Sequence, residues 1–305
     1  MTRIGTLTTV VVAAVLACTA KSGDARGGAT TREFDGAKAM TYVERQIAFG
    51  PRVPNTAGHR QMGDWLAGEL RARADTVVVQ KWRHVTSKGH KLELRNFLAR
   101  FRPDVADRIL LVAHWDTRPS ADQESTDARK KLAIPGANDG GSGVAVLLGI
   151  ADALKSRAPA VGVDLLFVDG EDYGDFSDST ESLIGARYFA HHMPAGYDPM
   201  FAIVLDMVGD KDLQFYYEGN SNSFAPEVVK RVWQAAERLG YGATFIHGVR
   251  HTLTDDHLPL QLAGIHAIDL IDFDYAPWHT LSDTPDKLSA ESLAIVGNVM
   301  IALVR

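Results

Sequence analysis

Four short, largely apolar runs constrain the fold more than any other feature of this sequence. They lie at 108–113 (RILLVA), 163–168 (VDLLFV), 201–205 (FAIVL) and 265–271 (IHAIDLI). Runs of this length are typical of strands that are buried on both faces of a sheet covered by helices. Helical patterns separate or follow them at about 142–156, 181–193, 224–240 and 289–303. This alternation predicts an α/β fold, a three-layer α/β/α sandwich with a central mixed, mainly parallel sheet.

The segment before the first run contains two predicted helices and two predicted strands. Helical patterning covers roughly 36–48 and 57–73, with the Gly-Pro-Arg-Val-Pro break at 50–54 between them. Alternation of apolar and polar residues predicts strands near 75–83 and 93–101.

Length and charge restrict the class of protein. The chain has 305 residues, of which 46% are hydrophobic, which is enough for one large core and short for two domains. A net charge of −6 without a basic stripe argues against a nucleic-acid binder. Because no second linker or repeat follows Phe34, we expect one catalytic domain over residues 33–305.

The N-terminal residues are typical of an exported protein. Arg3 precedes a short apolar run at 10–16, so residues 1–20 are expected to be a signal peptide. The sequence Val-Leu-Ala-Cys at 15–18 resembles a lipoprotein cleavage box, whereas ordinary cleavage after Ala20 is the alternative.

Cys18 is the only cysteine, and we expect it to be acylated as a lipid anchor. A single cysteine excludes a disulfide within the chain. Residues 21–32 are small and polar and are expected to form a flexible tether. The protein is therefore predicted to be periplasmic or a membrane-anchored lipoprotein.

Polar residues cluster at the ends of the predicted strands. Ligands of such sheets collect beyond the carboxyl ends of the strands, and polar residues from distant parts of the chain fall there. They are His114, Asp116, Asp139, Glu171, Asp172, Asp206 and His279. The topology alone brings them to one rim.

These residue types are suited to zinc. Catalytic zinc takes three nitrogen or oxygen ligands from the protein and keeps one position open. Asp139 lies in a glycine-rich loop that lets the backbone approach closely. The adjacent acids Glu171 and Asp172 point in different directions, so one can bind metal while the other acts as a general base. Each motif alone is more often structural, but together they indicate a catalytic site.

A family resemblance follows from five motifs. The motifs His-Trp-Asp, Asn-Asp-Gly, Glu-Asp-Tyr-Gly, Leu-Asp-Met and Trp-His-Thr begin at residues 114, 138, 171, 205 and 278. In this order they resemble the clan of zinc aminopeptidases and glutaminyl cyclases, over nearly the whole chain after Gly50.

The aminopeptidase branch implies two zinc ions. The resemblance would then make Asp139 a bridging ligand and Glu171 the general base. The remaining ligands would be His114, Asp172, Asp206 and His279.

The cyclase branch implies one zinc ion, held by Asp139, Asp172 and His279. Asp206 then joins Glu171 in a catalytic acid network.

The segment Thr254–Pro259 separates the two branches. Its Asp-Asp-His-Leu-Pro sequence resembles the cyclases, so Asp255 is expected to complete the catalytic acid network with Glu171 and Asp206. Trp278, before His279, is expected to contact the substrate side chain. The chain departs from the cyclase pattern in two places. Phe176 and Ser177 stand where a second tryptophan or another aromatic often follows the acid pair, and Leu260 follows Pro259 where an aromatic is common.

The resemblance therefore favours a glutaminyl-peptide cyclotransferase of the bacterial, animal-like type. Such an enzyme converts the N-terminal glutamine of peptides or proteins to pyroglutamate and releases ammonia. The alternative is a di-zinc aminopeptidase that removes N-terminal residues. A non-catalytic peptide binder is disfavoured because a binder has no use for the free acid Glu171.

Overall fold

A six-stranded sheet forms the centre of the protein in a computed structural model that describes residues 1, 2, 5 and 33–305. The predicted signal peptide, tether and acylated Cys18 fall almost entirely outside the described residues, so they remain predictions. The residues Arg32–Arg305 form one compact unit. Among the residues that the structure describes, no helix is both long and apolar enough to cross a lipid bilayer.

The strands of the sheet are mixed in direction and mainly parallel. In order across the sheet they are β1 (Thr76–Val85), β2 (Lys91–Phe101), β4 (Gly162–Val168), β3 (Arg108–His114), β5 (Phe201–Asp206) and β8 (Ala267–Ile271). The last four are parallel to one another. Strand β2 pairs with β4 in the antiparallel direction, and β1 pairs antiparallel with β2 at the edge of the sheet. The predicted fold class is confirmed.

Helices cover both faces of the sheet. They are α1 (Gly36–Ile47), α2 (Ala57–Arg71), α3 (Asp127–Lys130), α4 (Gly141–Ser156), α5 (Ile184–His191), α6 (Gly219–Phe224), α7 (Pro226–Arg238), α8 (His257–Leu262) and α9 (Ala290–Val304). Helices α1, α4 and α9 pack together on one face, and α5 packs with α8 on the other.

Alternate residues of the central strands supply the two cores. Leu111 and Leu165 belong to the larger core beneath α4 and α9, whereas Leu110 and Leu166 belong to the core beneath α5. Because successive side chains of a strand point to opposite faces, strands that are apolar at most positions build a core on each side.

A second, two-stranded sheet was not predicted. It pairs β6 (Phe215–Glu218) with β7 (Phe245–His251) in parallel. The pairing is irregular and most of β7 is exposed, so its sequence lacks the apolar pattern of a buried strand.

The start of α4 is held close to the carboxyl end of β5. Gly140, with φ of 76°, makes the turn into the helix. A Cβ atom on Gly143 would lie 2.1 Å from the carbonyl oxygen of Leu205, so glycine permits the close approach. This packing carries the Asp139 loop to the end of the sheet.

Candidate active site

The carboxyl ends of β3, β4, β5 and β8 meet at a cavity of about 910 Å³. The predicted site residues that line it are Asp139, Glu171, Asp172, Asp206, Asp255, Trp278 and His279. His114 is buried and lies 3.2–3.7 Å from three of these carboxylates, those of Asp139, Glu171 and Asp206. The structure thus brings together all eight residues to which the sequence analysis gave a catalytic, substrate-binding or metal role.

Asp139, Asp172 and His279 form a first candidate metal group, whose ligand atoms all lie within 4.8 Å of one another. Nε2 of His279 is 3.6 Å from Oδ2 of Asp139 and 3.5 Å from Oδ1 of Asp172. Oδ2 of Asp172 is buried and has no hydrogen-bond partner. Nδ1 of His279 lies 3.0 Å from Oδ1 of Asp122, a contact that can leave Nε2 unprotonated for a metal.

His114, Asp139 and Asp206 form a second candidate metal group. Nε2 of His114 is 3.3 Å from Oδ1 of Asp139 and 3.2 Å from Oδ1 of Asp206. Asp139 belongs to both groups, as a bridging ligand would. The geometry is therefore compatible with one ion or with two.

Asp116 orients the acid pair. Its carboxylate accepts hydrogen bonds from the backbone N–H groups of Glu171, at 3.1 Å, and Asp172, at 3.3 Å. The strand-end Asp116 thus supports the metal group through the backbone.

Glu171 and Asp255 are buried acids with raised pKa values. Burial raises the pKa of Glu171 well above its usual range; His114 opposes this effect, and Asp172 and Asp255 add to it. Burial, reinforced by Asp206, raises the pKa of Asp255 to about 6. Burial thus favours the protonated form of both carboxyl groups, and Asp255, with a pKa of about 6, can exchange a proton near neutral pH.

Arg118 forms a salt bridge with the first metal group, and its role was not predicted from the sequence. Nη1 of Arg118 lies 2.6 Å from Oδ1 of Asp172, and Nη2 lies 2.7 Å from Oδ2 of Asp122. Burial, with Asp139, raises the pKa of Asp172 to about 7 although His279 and Arg118 oppose the rise. A single arginine after a strand carries no motif that could have indicated this role.

Two further residues, also missed, fix the Asp139 loop. The carboxylate of Asp283 accepts the backbone N–H groups of Asn138, at 2.8 Å, and Asp139, at 3.1 Å. The fully buried Arg52 donates to the carbonyl oxygens of Pro135 and Gly136. Both act on the backbone of a segment remote in sequence, which residue spacing does not reveal.

A third buried group lies behind Asp255. Nε2 of His257 is 3.2 Å from Oε2 of Glu218, and Nδ1 is 3.9 Å from Oδ2 of Asp269. Asp255, His257 and Asp269 present ligand-type atoms close together, and all are buried. Glu218 and Asp269 lie in segments without a recognisable motif. The contacts of His257 hold the first residue of α8, a helix that begins two residues after Asp255.

Aromatic side chains shape the cavity. The indole of Trp278 stacks on His279 with 3.9 Å between ring centroids, and Phe273 packs 4.9 Å from Trp278. Phe176 also lines the cavity and lies beneath the guanidinium of Arg118, 5.7 Å from its ring centroid. Phe176 thus places one aromatic side chain on the cavity lining within the stretch that departs from the cyclase pattern.

Comparison with known families identifies the class. The model of peptidase family M28 matches residues 96–304, and the chain belongs to this family. Within it, the chain is similar to solved bacterial glutaminyl cyclases, which confirms the predicted resemblance. The enzyme of Bacteroides thetaiotaomicron, bound to N-acetylhistamine, is 40% identical with a TM-score of 0.85, over 89% of this chain and 97% of that one. The Porphyromonas gingivalis enzyme is 41% identical with a TM-score of 0.84, over 88% and 96%.

Curated relatives fall in both branches. Aminopeptidase YwaD of Bacillus subtilis is 26% identical over 90% of this chain, which spans 58% of the relative's length. A bovine glutaminyl-peptide cyclotransferase-like protein is 24% identical over 78% of this chain, which spans 67% of the relative's length.

Proposed function

We propose that this protein is a zinc-dependent glutaminyl-peptide cyclotransferase that converts N-terminal glutamine to pyroglutamate and releases ammonia. The observation that carries the proposal is the position of Asp255, which lines the cavity together with Glu171 and Asp206. The identity of about two fifths to solved bacterial glutaminyl cyclases supports the same activity.

The residues Asp139, Asp172 and His279 fit one zinc ion. Two carboxylates and one imidazole leave an open position, as catalytic zinc requires, and the unpartnered Oδ2 of Asp172 is a ligand atom without another role. When bound there, zinc supplies a Lewis acid beside the substrate's side-chain carbonyl.

Trp278 positions the substrate. Its indole is held by His279 and Phe273, so it offers a fixed apolar face beside the metal group. Holding the glutamine side chain near its own α-amine accelerates an intramolecular reaction, because the reacting groups are already aligned.

Glu171 moves the proton. The α-amine has an ordinary pKa of about 7.7–8.0, so part of it is uncharged at neutral pH. The uncharged α-amine attacks the side-chain amide carbon, and Glu171 accepts a proton from the attacking nitrogen. Glu171 then delivers this proton to the amide nitrogen, which leaves as ammonia when its bond to that carbon breaks. Asp206 and Asp255 share protons with Glu171, since burial raises the pKa of both. The charge of Asp139 adds to this rise for Asp206, and the charge of Asp206 adds to it for Asp255.

Hydrolysis by a di-zinc aminopeptidase is the second candidate. It is favoured by the contacts of His114 with Asp139 and Asp206, which would complete a second zinc site. In that reaction Glu171 would deprotonate a water molecule instead of the substrate amine.

The two activities are separated by their products. Purified, zinc-loaded protein should release ammonia from glutamine-initiated peptides and leave leucine or alanine chromogenic amides intact. Cleavage of the amides without ammonia release would support the peptidase instead.

We also propose that the enzyme acts outside the cytoplasm. The charged and apolar start of the sequence and the box ending at Cys18 support export and lipid attachment. Labelling with a radioactive fatty acid in a bacterial host tests this. Label should be incorporated by the wild-type protein and lost in Cys18→Ser.

A further inference from the structure

The tip of the β1–β2 hairpin forms one wall of the active-site cavity. Residues 86–90 make the turn, and Lys88 and His90 line the cavity, with Tyr173 beside His90. Trp278 and Phe273 form a second, apolar wall of the same cavity. A peptide whose N-terminus lies at the metal group must therefore leave the cavity past these walls.

The hairpin tip is attached to the loop that follows Asp172. The backbone N–H of Ser87 donates to Oγ1 of Thr180 at 2.8 Å, and the Ser87 hydroxyl donates to Asp178. The hydroxyl of Tyr173 lies 3.1 Å from Nδ1 of His90. These contacts hold Lys88 at a fixed place on the wall.

Lys88 combines exposure with a fixed position. Its side chain is 61% exposed, and its ammonium donates over 2.7 Å to Glu181, whose side chain is 3% exposed. An ammonium has three N–H donors, and this contact uses one of them. By contrast Arg118, the other lysine or arginine of the described cavity lining, donates to Asp122, Asp172 and Gly174.

We propose that Lys88 binds a carboxylate on the second residue of the substrate, so that it determines specificity next to the glutamine. This inference rests on the proposed cyclase function. The carboxylate can come from an acidic side chain or, in a dipeptide, from the C-terminus. Lys88 takes no part in the reaction itself and acts through affinity.

The test is kcat/KM for four substrates with the zinc-loaded enzyme: Gln-Glu-amide, Gln-Ala-amide, Gln-Ala with a free C-terminus, and Gln-Lys-amide. The amides separate a side-chain carboxylate from a terminal one. Lys88→Ala should lower kcat/KM by about three- to tenfold for the carboxylate substrates and leave Gln-Ala-amide unchanged. Lys88→Arg should retain the preference, and Lys88→Glu should shift it toward Gln-Lys-amide.

Two variants separate recognition from damage to the wall. Lys91→Ala removes an exposed lysine of the same hairpin that does not line the cavity, and it should change nothing. The double variant Lys88→Met, Glu181→Met leaves no unpaired buried carboxylate and should lose the preference as Lys88→Ala does.

The outcomes separate the proposed role of Lys88 from the proposed cyclase activity. If Lys88→Ala lowers kcat/KM equally for all substrates, or not at all, the specificity role is wrong while cyclisation stands. If the wild-type enzyme cyclises none of the four substrates, the proposed function and this inference fall together.

Discussion

Glu171 and Asp172 are neighbours in the chain, yet their carboxylates belong to different parts of the site. Oδ1 of Asp172 lies 3.5 Å from Nε2 of His279, within the first metal group. Oε2 of Glu171 instead lies 3.7 Å from Nδ1 of His114. One acid is thus placed to hold an ion while its neighbour carries a proton.

This division predicts the effect of Glu171→Gln. The amide keeps the size of the side chain but cannot accept the proton, so kcat should fall by about 10²- to 10⁴-fold. Steady-state kinetics and metal analysis on the same sample check this. Bound zinc should be unchanged, and its loss would mean that Glu171 is a ligand.

The metal groups predict which residues zinc requires. Asp139→Ala and Asp172→Ala should lose the ion, because each removes a ligand of the first group. His114→Gln should keep it, since His114 belongs to the second group. Elemental analysis of dialysed protein measures this. Two ions in the wild type, falling to one in His114→Gln, would favour the peptidase.

Asp255→Asn should abolish cyclisation without loss of zinc. Asp255 is a buried acid with a pKa near 6, and the variant cannot exchange protons with Glu171. Asp272→Asn is a matched control, because the pKa of Asp272 is also raised to about 6 by burial outside the active-site cavity. Equal activity loss in both variants would indicate a general effect on folding.

Arg118→Met should weaken zinc binding by about 10- to 100-fold, because metal ligands depend on the partners that orient them. Loss of the guanidinium should also raise the pKa of Asp172 further, so that zinc binding requires a higher pH. A competitive chelator titration measures the affinity. Arg129→Met, which removes an exposed arginine paired with Glu124, should bind zinc normally.

The metal-free protein should lose stability as pH rises from about 4 to 7. Burial, with the charge of Asp139, raises the pKa of Asp283 to about 7, against 3.8 for an ordinary aspartate. In that interval the folded state binds the proton that the unfolded state has lost, so unfolding becomes easier as pH rises. Thermal unfolding of wild type and Asp283→Asn in chelator tests this; the variant should show a smaller decline.

Much of the fold could be predicted because the central strands have an unambiguous pattern. The runs at 108–113, 163–168 and 201–205 are buried on both faces, so no polar alternation obscures them. Because the carboxyl ends of parallel strands meet at one edge of the sheet, the strand ends also predicted where the polar residues of the site lie together. The sheet formed by β6 and β7 escaped prediction because its pairing depends on tertiary contacts and leaves much of β7 exposed.

The supporting residues of the site could not be predicted. Arg118 acts through salt bridges to Asp122 and Asp172, and Asp283 and Arg52 act through backbone hydrogen bonds to remote segments. Such contacts depend on how loops fold back over the sheet, which no local spacing records. The number of metal ions could not be predicted for a related reason, since Asp139 belongs to both ligand groups.

Mass spectrometry of two peptides in one reaction distinguishes cyclisation from hydrolysis. Zinc-loaded protein is mixed with equal amounts of a glutamine-initiated and a leucine-initiated peptide that are otherwise identical. The glutamine peptide should lose the mass of one ammonia and keep every residue, while the leucine peptide remains unchanged. Removal of the leucine with no ammonia loss from the glutamine peptide would contradict the cyclase assignment.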